Sequence, residues 1–529
     1  MLASQTRDRE PANPDAIPCL HRNTACCNAH GMTVVRPCQP PPAFPSLHRP
    51  VMIQVLAVAS EIYPLIKTGG LADVVGALPP ALKHHAVAVT SLVPGYPAVM
   101  KALEGAKSVA ELPRFFGGKA TLRRGTARGL DLIVLDAPHL YDRPGNPYGD
   151  AEGRDWTDNA QRYAALSSAA AQVGQGLVKG YRPDILHAHD WQAALAPAYL
   201  HYAGGPRPKT IVTVHNLAFQ GQYPRTILAS LALPPQSFAV DGVEYYGMIG
   251  FLKAGLHFAD RITTVSPRYA AEIRTAEAGM GLEGLMAGRA DVLSGIVNGI
   301  DEHEWDPAGD PKLAANYDAK TLPKRIANRR ALEERFGLDQ DETPLFCLVS
   351  RLTWQKGIDL LAEALPALVQ GGARLALLGS GDKELEGIFR QATQRFRGRV
   401  GVVVGYDEAL SHQMFGGADM TLVPSRFEPC GLTQLYGLRY GCLPVVARVG
   451  GLSDTIVDAN DAALALKAAT GVQFHPVTVP MLQDAVARAI ALFADKPQWR
   501  AMQKRAMGLD LSWTSRAGAY ARLYKELLA

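Results

Sequence analysis

Met52-Ile53-Gln54-Val55-Leu56-Ala57-Val58-Ala59-Ser60 is an apolar run of strand length, the pattern of a strand buried on both faces of a parallel sheet. Behind it comes Glu61-Ile62-Tyr63-Pro64-Leu65-Ile66-Lys67-Thr68-Gly69-Gly70-Leu71-Ala72-Asp73, a loop that gives way to an apolar helical stretch. Strand, glycine-bearing loop and helix in that order open a doubly wound α/β domain, whose ligands sit at the carboxyl ends of the strands. Further strands are expected near 86–93, 130–136, 184–188, 209–215, 261–265 and 292–297, with helices at about 156–178, 190–203 and 246–258. After a charged stretch at 310–343 the pattern restarts at Leu345-Phe346-Cys347-Leu348-Val349-Ser350 and continues near 373–378, 400–404, 418–424 and 443–447. Two such series predict two α/β domains with parallel sheets covered by helices.

The composition agrees with this class. Of 529 residues, 47% are hydrophobic and 20% charged, which excludes a disordered, collagenous or coiled-coil chain. The formal charge of +4 is too near balance to predict a nucleic-acid partner. The sequence has no apolar stretch of about 18 residues, so no membrane-spanning helix and no membrane partner are expected. Four of the seven cysteines, Cys19, Cys26, Cys27 and Cys38, lie in residues 1–51. That segment is rich in proline and lacks a helical or strand period, a secretory apolar core and any CxxC pair. It reads as a disordered leader, a start-site misassignment or a dispensable tail, with Met52 able to initiate the chain. The remaining Cys347, Cys430 and Cys442 suit a reduced, cytoplasmic protein.

The strand-end loops carry the chemistry. Gly69 and Gly70 at a helix start let an anion approach backbone N–H groups, and Lys67 adds a point charge suited to phosphate. Arg351 and Lys356, in Ser350-Arg351-Leu352-Thr353-Trp354-Gln355-Lys356-Gly357, are placed to hold a diphosphate and oppose charge on a leaving group. In Ser425-Arg426-Phe427-Glu428-Pro429-Cys430-Gly431-Leu432, the Glu428 carboxylate can accept hydrogen bonds from sugar hydroxyls, and the Gly431 backbone can meet phosphate. Gly450 and Gly451 repeat the glycine chemistry before another helix. Cys430 has no partnered base beside it in sequence, so a packed or site-adjacent thiol is favoured over a nucleophile. His187-Ala188-His189-Asp190-Trp191 and Val214-His215-Asn216 suggest a polar site for a hydroxyl-rich substrate. Without a further ligand cluster, no metal is expected.

Five segments together are distinctive: Lys67–Gly76 including Asp73, His187–Trp191, Val297-Asn298-Gly299-Ile300-Asp301, Ser350–Gly357 and Ser425–Leu432. In that order they resemble the glycogen and starch synthases of glycosyltransferase family 5, over essentially 52–529. The resemblance implies a GT-B fold, two Rossmann-like domains facing across a deep cleft. It also implies retaining transfer of glucose from ADP-glucose to the nonreducing 4-hydroxyl of an α-1,4-glucan, with no cofactor. By motif, Lys67 and the Gly69–Gly70 loop contact the donor, Arg351 and Lys356 hold its diphosphate, and Glu428 faces the transferred glucose. His189 lies beside the reacting sugar, Asp158 matches an aspartate of the family site, and Asn298 and Cys430 belong to the same pocket. Tyr436 stands where many GT-B enzymes carry a second glutamate, eight positions after the first; this favours the narrower branch and leaves the ribose partner unassigned.

The expected organisation is a leader at 1–51, an N-terminal domain at 52–297, a linker at 298–343, a C-terminal domain at 344–511 and a helix at 512–529 crossing back. Cleft closure about the crossings is expected. The oligomeric state is left open. The alternatives are a related GT-B enzyme using UDP-glucose or another acceptor, and, from another class, a catalytically silent glucan-binding protein.

Overall fold

Residues 52–150 and 152–529 are described by the computed structural model; the leader at 1–51 lies outside the described residues. The opening run forms β1 (Ile53–Val58), followed in chain order by β2 (Val87–Pro94), β3 (Glu104–Phe115), β4 (Gly118–Ala127), β5 (Leu130–Asp136), β6 (Ile185–His189) and β7 (Lys209–Val214). Short strands β8 (Gln222–Pro224), β9 (Glu244–Tyr245) and β10 (Met248–Gly250) make a separate sheet, and β11 (Arg261–Thr264) and β12 (Leu293–Gly295) rejoin the first. The large sheet runs β12-β11-β7-β6-β1-β2-β5-β4-β3. It is parallel from β12 to β5 and antiparallel across β5-β4-β3. A second sheet, all parallel, is built from β13 (Leu345–Val349), β14 (Arg374–Gly379), β15 (Val400–Val404), β16 (Met420–Val423), β17 (Leu443–Ala447) and β18 (Val472–Phe474), in the order β15-β14-β13-β16-β17-β18.

The expected central strands are present because each is apolar enough to be buried on both faces; β6, β14 and β17 are buried throughout. The β3–β4 hairpin was not anticipated. Its outer strand is mostly exposed and charged, as an unpaired edge is in soluble sheets. The segment 298–343 is more than a tether. It carries the helix Arg325–Phe336, and Ile300, Trp305, Leu332 and Phe336 join the core of the second domain. Its charges are satisfied inside: Arg329 pairs with Asp419 at 2.7 Å and Glu333 with the fully buried Arg374 at 2.7 Å.

The chain crosses between the domains at two places that lie side by side. Ile300 N–H donates to the Leu511 carbonyl at 2.8 Å. A Cβ on Gly299 would come within 2.6 Å of the Trp513 nitrogen, so only glycine fits there. The final helix, Trp513–Leu528, packs Ala517, Tyr520, Tyr524 and Leu527 against Val74, Leu78 and Leu82 of the helix Gly70–Leu82 and against Val55 and Ile185 of the sheet.

Candidate active site

Every segment singled out in the sequence lies at or just beyond a strand's carboxyl end or at the start of the following helix. On the N-terminal side, Lys67 Nζ pairs with Asp73 Oδ1 at 2.8 Å and reaches across to Glu408 Oε2 at 4.0 Å. Burial pushes the Asp73 carboxyl up, against the Lys67 ammonium, which pulls it down. Gly70 faces Leu432 of the opposite domain, which an added Cβ would meet at 3.6 Å, while Gly69 has open space. Glu61, three residues beyond β1, had no assigned role. It is buried and accepts from the Thr68 amide, from Thr68 Oγ1 at 2.7 Å and from the Tyr148 hydroxyl, which shapes the Lys67–Gly70 loop from below.

His189 closes β6 and is 1% exposed. Its Nδ1 shares a hydrogen bond with His215 Nε2 at 3.0 Å, and its ring stacks on His187 at 4.2 Å. Burial lowers its pKa to about 3, and burial first, then the neighbouring His189, holds His215 well below the ordinary range. Burial, and after it the neighbouring His189 and His215, holds His187 well below the ordinary range too, so all three rings are neutral at physiological pH. His187 is a support: its two nitrogens are held by Tyr524 at 2.9 Å and Thr213 at 2.6 Å. Asp190 adopts φ of 57°, a left-handed conformation uncommon outside glycine, asparagine and aspartate, and accepts from the His215 amide at 2.7 Å. Burial raises its pKa to about 7, against the hydrogen bonds from the His215 and Asn216 amides.

These groups make a pH prediction. A histidine kept neutral on folding costs stability once pH falls below its unfolded pKa of about 6.5, roughly 1.4 kcal/mol per pH unit. Asp190 acts oppositely, because its folded form takes up a proton near pH 7 that the unfolded chain takes up only near pH 4. Asp190→Asn also suits the left-handed backbone, so the variant should fold and lose only the offset. Its melting temperature should fall more steeply than the parent's between pH 7.5 and 5; a fall parallel to the parent's would show that Asp190 is ionised across that range.

Asp158 is clamped by Arg143 through two bonds of 2.9 Å, and that guanidinium lies 4.9 Å from the Trp156 ring centre. Arg143 was not foreseen, since nothing in its local sequence marks it.

On the C-terminal side, Lys356 Nζ meets Glu428 Oε2 at 2.5 Å, and Ser425 Oγ donates to the same oxygen at 2.9 Å. The pair is held by Gly357, whose φ is 65° and where an added Cβ would fall 2.0 Å from the Pro424 carbonyl. Arg351 is exposed and has no ion-pair partner among the described residues. Cys430 is buried, and desolvation pushes its thiol up to about 12, so it carries no thiolate for nucleophilic work. Asn298 beside it is also buried, and its Oδ1 has no partner among the described residues. Gly431 has φ of 75°. Tyr436 stacks on Trp305 at 3.6 Å, with His412 on the other face at 3.7 Å, so it acts through packing. It also helps line a cavity of about 580 Å³ between the domains, with Lys67, Asp73, Glu408 and Leu432. Glu304, Glu408 and His412 converge within 4.8 Å. The Lys312 ammonium pairs with Glu304 and sits 3.3 Å from His412 Nε2, so a lysine already serves this cluster.

Gly450 and Gly451 are wedged against the backbone of residues 428–430, where added Cβ atoms would fall 2.1 Å from the Glu428 carbonyl and 2.3 Å from that of Cys430. The Gly450 amide is taken by the Glu272 carboxylate of the opposite domain, at 3.0 and 3.2 Å. Asp454 in turn accepts from Ser266 Oγ at 2.5 Å and the Arg268 amide at 2.9 Å. Each domain thus lends a carboxylate to a helix start of the other. Substituting both, Glu272→Ala with Asp454→Ala, should raise the radius of gyration of the donor-free protein in X-ray scattering; an unchanged value would show that the clasp does not hold the cleft.

Two Rossmann-like domains facing across such a cleft define a GT-B glycosyltransferase. The comparisons narrow the class. Residues 54–288 match the starch synthase catalytic domain family and residues 330–506 the glycosyl transferases group 1 family. The chain is 60% identical over 478 residues to a glycogen synthase of Rhodopseudomonas palustris (strain BisA53), covering 90% of this chain and 98% of that one. It is 56% identical over 477 residues to one of Mesorhizobium japonicum, covering 90% and 99%. Among solved structures, it resembles the catalytic domain of starch synthase IV from Arabidopsis thaliana bound to ADP and acarbose, with TM-score 0.80 and 32% identity over 90% of this chain and 99% of that one. The chain belongs to the glycogen synthase family.

Proposed function

We propose that the protein elongates an α-1,4-glucan by transferring glucose from ADP-glucose to the nonreducing 4-hydroxyl with retention of configuration, without a metal or other cofactor. The observations that carry this reading are the Lys356–Glu428 pair in one domain, with Arg351 in the same loop and without an ion-pair partner among the described residues, and the neutral His189 and the Lys67 loop at strand ends of the other domain. ADP in the starch synthase IV relative supports the nucleotide assignment. Arg351 and Lys356 oppose the charge that develops on the diphosphate as the glucosyl bond breaks, and Lys67 adds to it from the other domain. Glu428 accepts from hydroxyls of the transferred glucose, and the Asn298 Oδ1, without a partner among the described residues, offers another acceptor in the same pocket. His189 remains uncharged beside the sugar, where it exchanges hydrogen bonds without repelling the oxocarbenium character that builds there.

Retaining hydrolases that work by double displacement set two carboxyl groups about 5 Å apart, one of them a nucleophile. Asp158 is committed to Arg143, and Glu428 to Lys356 and Ser425. This supports attack on the face from which ADP departs, with the departing phosphate taking the acceptor's proton. Trapping a glucosyl ester on Asp158 during turnover would refute that route. Offering labelled ADP-glucose and UDP-glucose in parallel, with glycogen as acceptor, tests the donor; incorporation from UDP-glucose alone would overturn it. The three cysteines of the described residues are buried free thiols, which supports a reducing, cytoplasmic setting.

A further inference from the structure

A strained tyrosine facing solvent marks a place that the transfer chemistry does not use. Tyr246 and Gly247 join β9 to β10 with φ of 48° and 78°. Two consecutive left-handed residues are the signature of a tight hairpin turn usually filled by Asn-Gly or Asp-Gly. A bulky aromatic at the first position costs free energy. Packing does not offset that cost, because Tyr246 is 79% exposed and meets Tyr245 only edge-on, at 4.8 Å between ring centres.

Its surroundings suit a ligand of one kind. The ring edge lies over Gly281, where an added Cβ would come 3.5 Å from Cε2. Next to it, the Tyr245 hydroxyl and the Gln220 amide both donate to the Met280 carbonyl, at 3.2 and 3.0 Å. Gln222 donates to Gln220 at 2.7 Å, and Phe219 is half exposed. Gln220, Gly221, Gln222 and Met280 line a shallow depression of about 410 Å³. The depression adjoins the His189–Trp191 segment. Gly221 packs on the Trp191 indole, which an added Cβ would meet at 2.3 Å, and Trp191 follows His189 and Asp190 directly. Gln220 is five residues beyond His215, so the two lie within about 18 Å.

Exposed aromatic faces beside neutral amides, with no charged side chain lining the depression, match a sugar chain: ring C–H faces stack on aromatics, and hydroxyls exchange hydrogen bonds with amides. We propose that Tyr246, with Phe219, Gln220 and Gln222, forms a remote subsite for the α-glucan acceptor, holding the chain several sugars away from its reacting end. This rests on reading the cleft as a glucan-elongating site. Contacts so far from the reacting bond act equally in ground and transition states, so they set KM for long acceptors and leave kcat unchanged.

The test uses the full chain and three readouts. Tyr246→Asn removes the ring and suits the left-handed turn, so its melting temperature should equal or exceed the parent's. With ADP-glucose as donor, its KM for maltoheptaose should rise at least fivefold, with kcat and the donor KM unchanged. Tyr246→Phe, which keeps the ring, should behave as the parent. Mobility in native gels containing glycogen reads binding without turnover: the parent should be retarded and Tyr246→Asn less so. A maltoheptaose KM within twofold of the parent's, or equal retardation of the two proteins, would overturn the subsite. A parent that is retarded, and loses retardation in Tyr246→Asn, yet transfers no glucose, would overturn the enzymatic reading and leave the subsite standing.

Discussion

Lys356→Gln is expected to lower kcat by two to three orders of magnitude while leaving the melting temperature within a few degrees of the parent's. The ammonium has two duties in the proposed reaction: it sits 2.5 Å from Glu428, in the loop that follows β13, and it opposes the charge on the donor diphosphate. Removing one preorganised donor to developing charge costs about 3–4 kcal/mol of barrier. Glutamine retains an N–H for Glu428 but not the charge for the phosphate, which separates the two duties. Glu428→Gln should reduce kcat as well, and the double variant should lose much less than the product of the single losses, because residues of one unit are not additive. Steady-state kinetics on the four proteins decides this. Fully multiplicative losses would mean that Lys356 and Glu428 act independently.

Gly357→Ala should damage both the fold and the reaction. At φ of 65° an alanine is strained, and its methyl group would stand 2.0 Å from the Pro424 carbonyl, a backbone atom that cannot swing aside. Relief requires the Lys356 loop to separate from the end of β16, and a displacement of about 1 Å at a reacting group is worth roughly 100-fold in rate. The expected result is a melting temperature lower by several degrees and a kcat reduced at least as strongly as in Lys356→Gln. A variant that melts like the parent and turns over normally would show that the Gly357–Pro424 contact does not place Lys356.

How much of this was legible in the sequence depended on whether a residue's partners are near it in the chain. The central strands were readable because burial on both faces demands an unbroken apolar run, as in β1 and β14. The β3–β4 hairpin escaped because an edge strand needs no such run. The helix Arg325–Phe336 was taken for a linker because it is rich in charge. Its arginines and Glu333 find Asp419 and Arg374 only in the folded chain, and buried charges with partners look like solvated ones in sequence. The same holds at the cleft. Lys67, Arg351, Lys356 and Glu428 stand in strand-end motifs, whereas Glu61, Arg143, Glu272 and Asp454 matter through residues far away in the chain. The Gly450 amide, read as a phosphate seat, instead holds Glu272 in this structure, a contact that only the docking of two domains creates.

The central claim is that this cleft extends an α-1,4-glucan with glucose from ADP-glucose. Proton NMR of the purified protein with ADP-glucose and maltoheptaose tests it most directly. The prediction is a growing α-1,4 anomeric signal, one new linkage for each ADP released. A β-anomeric product, or ADP release accompanied by free glucose and no new linkage, would contradict it.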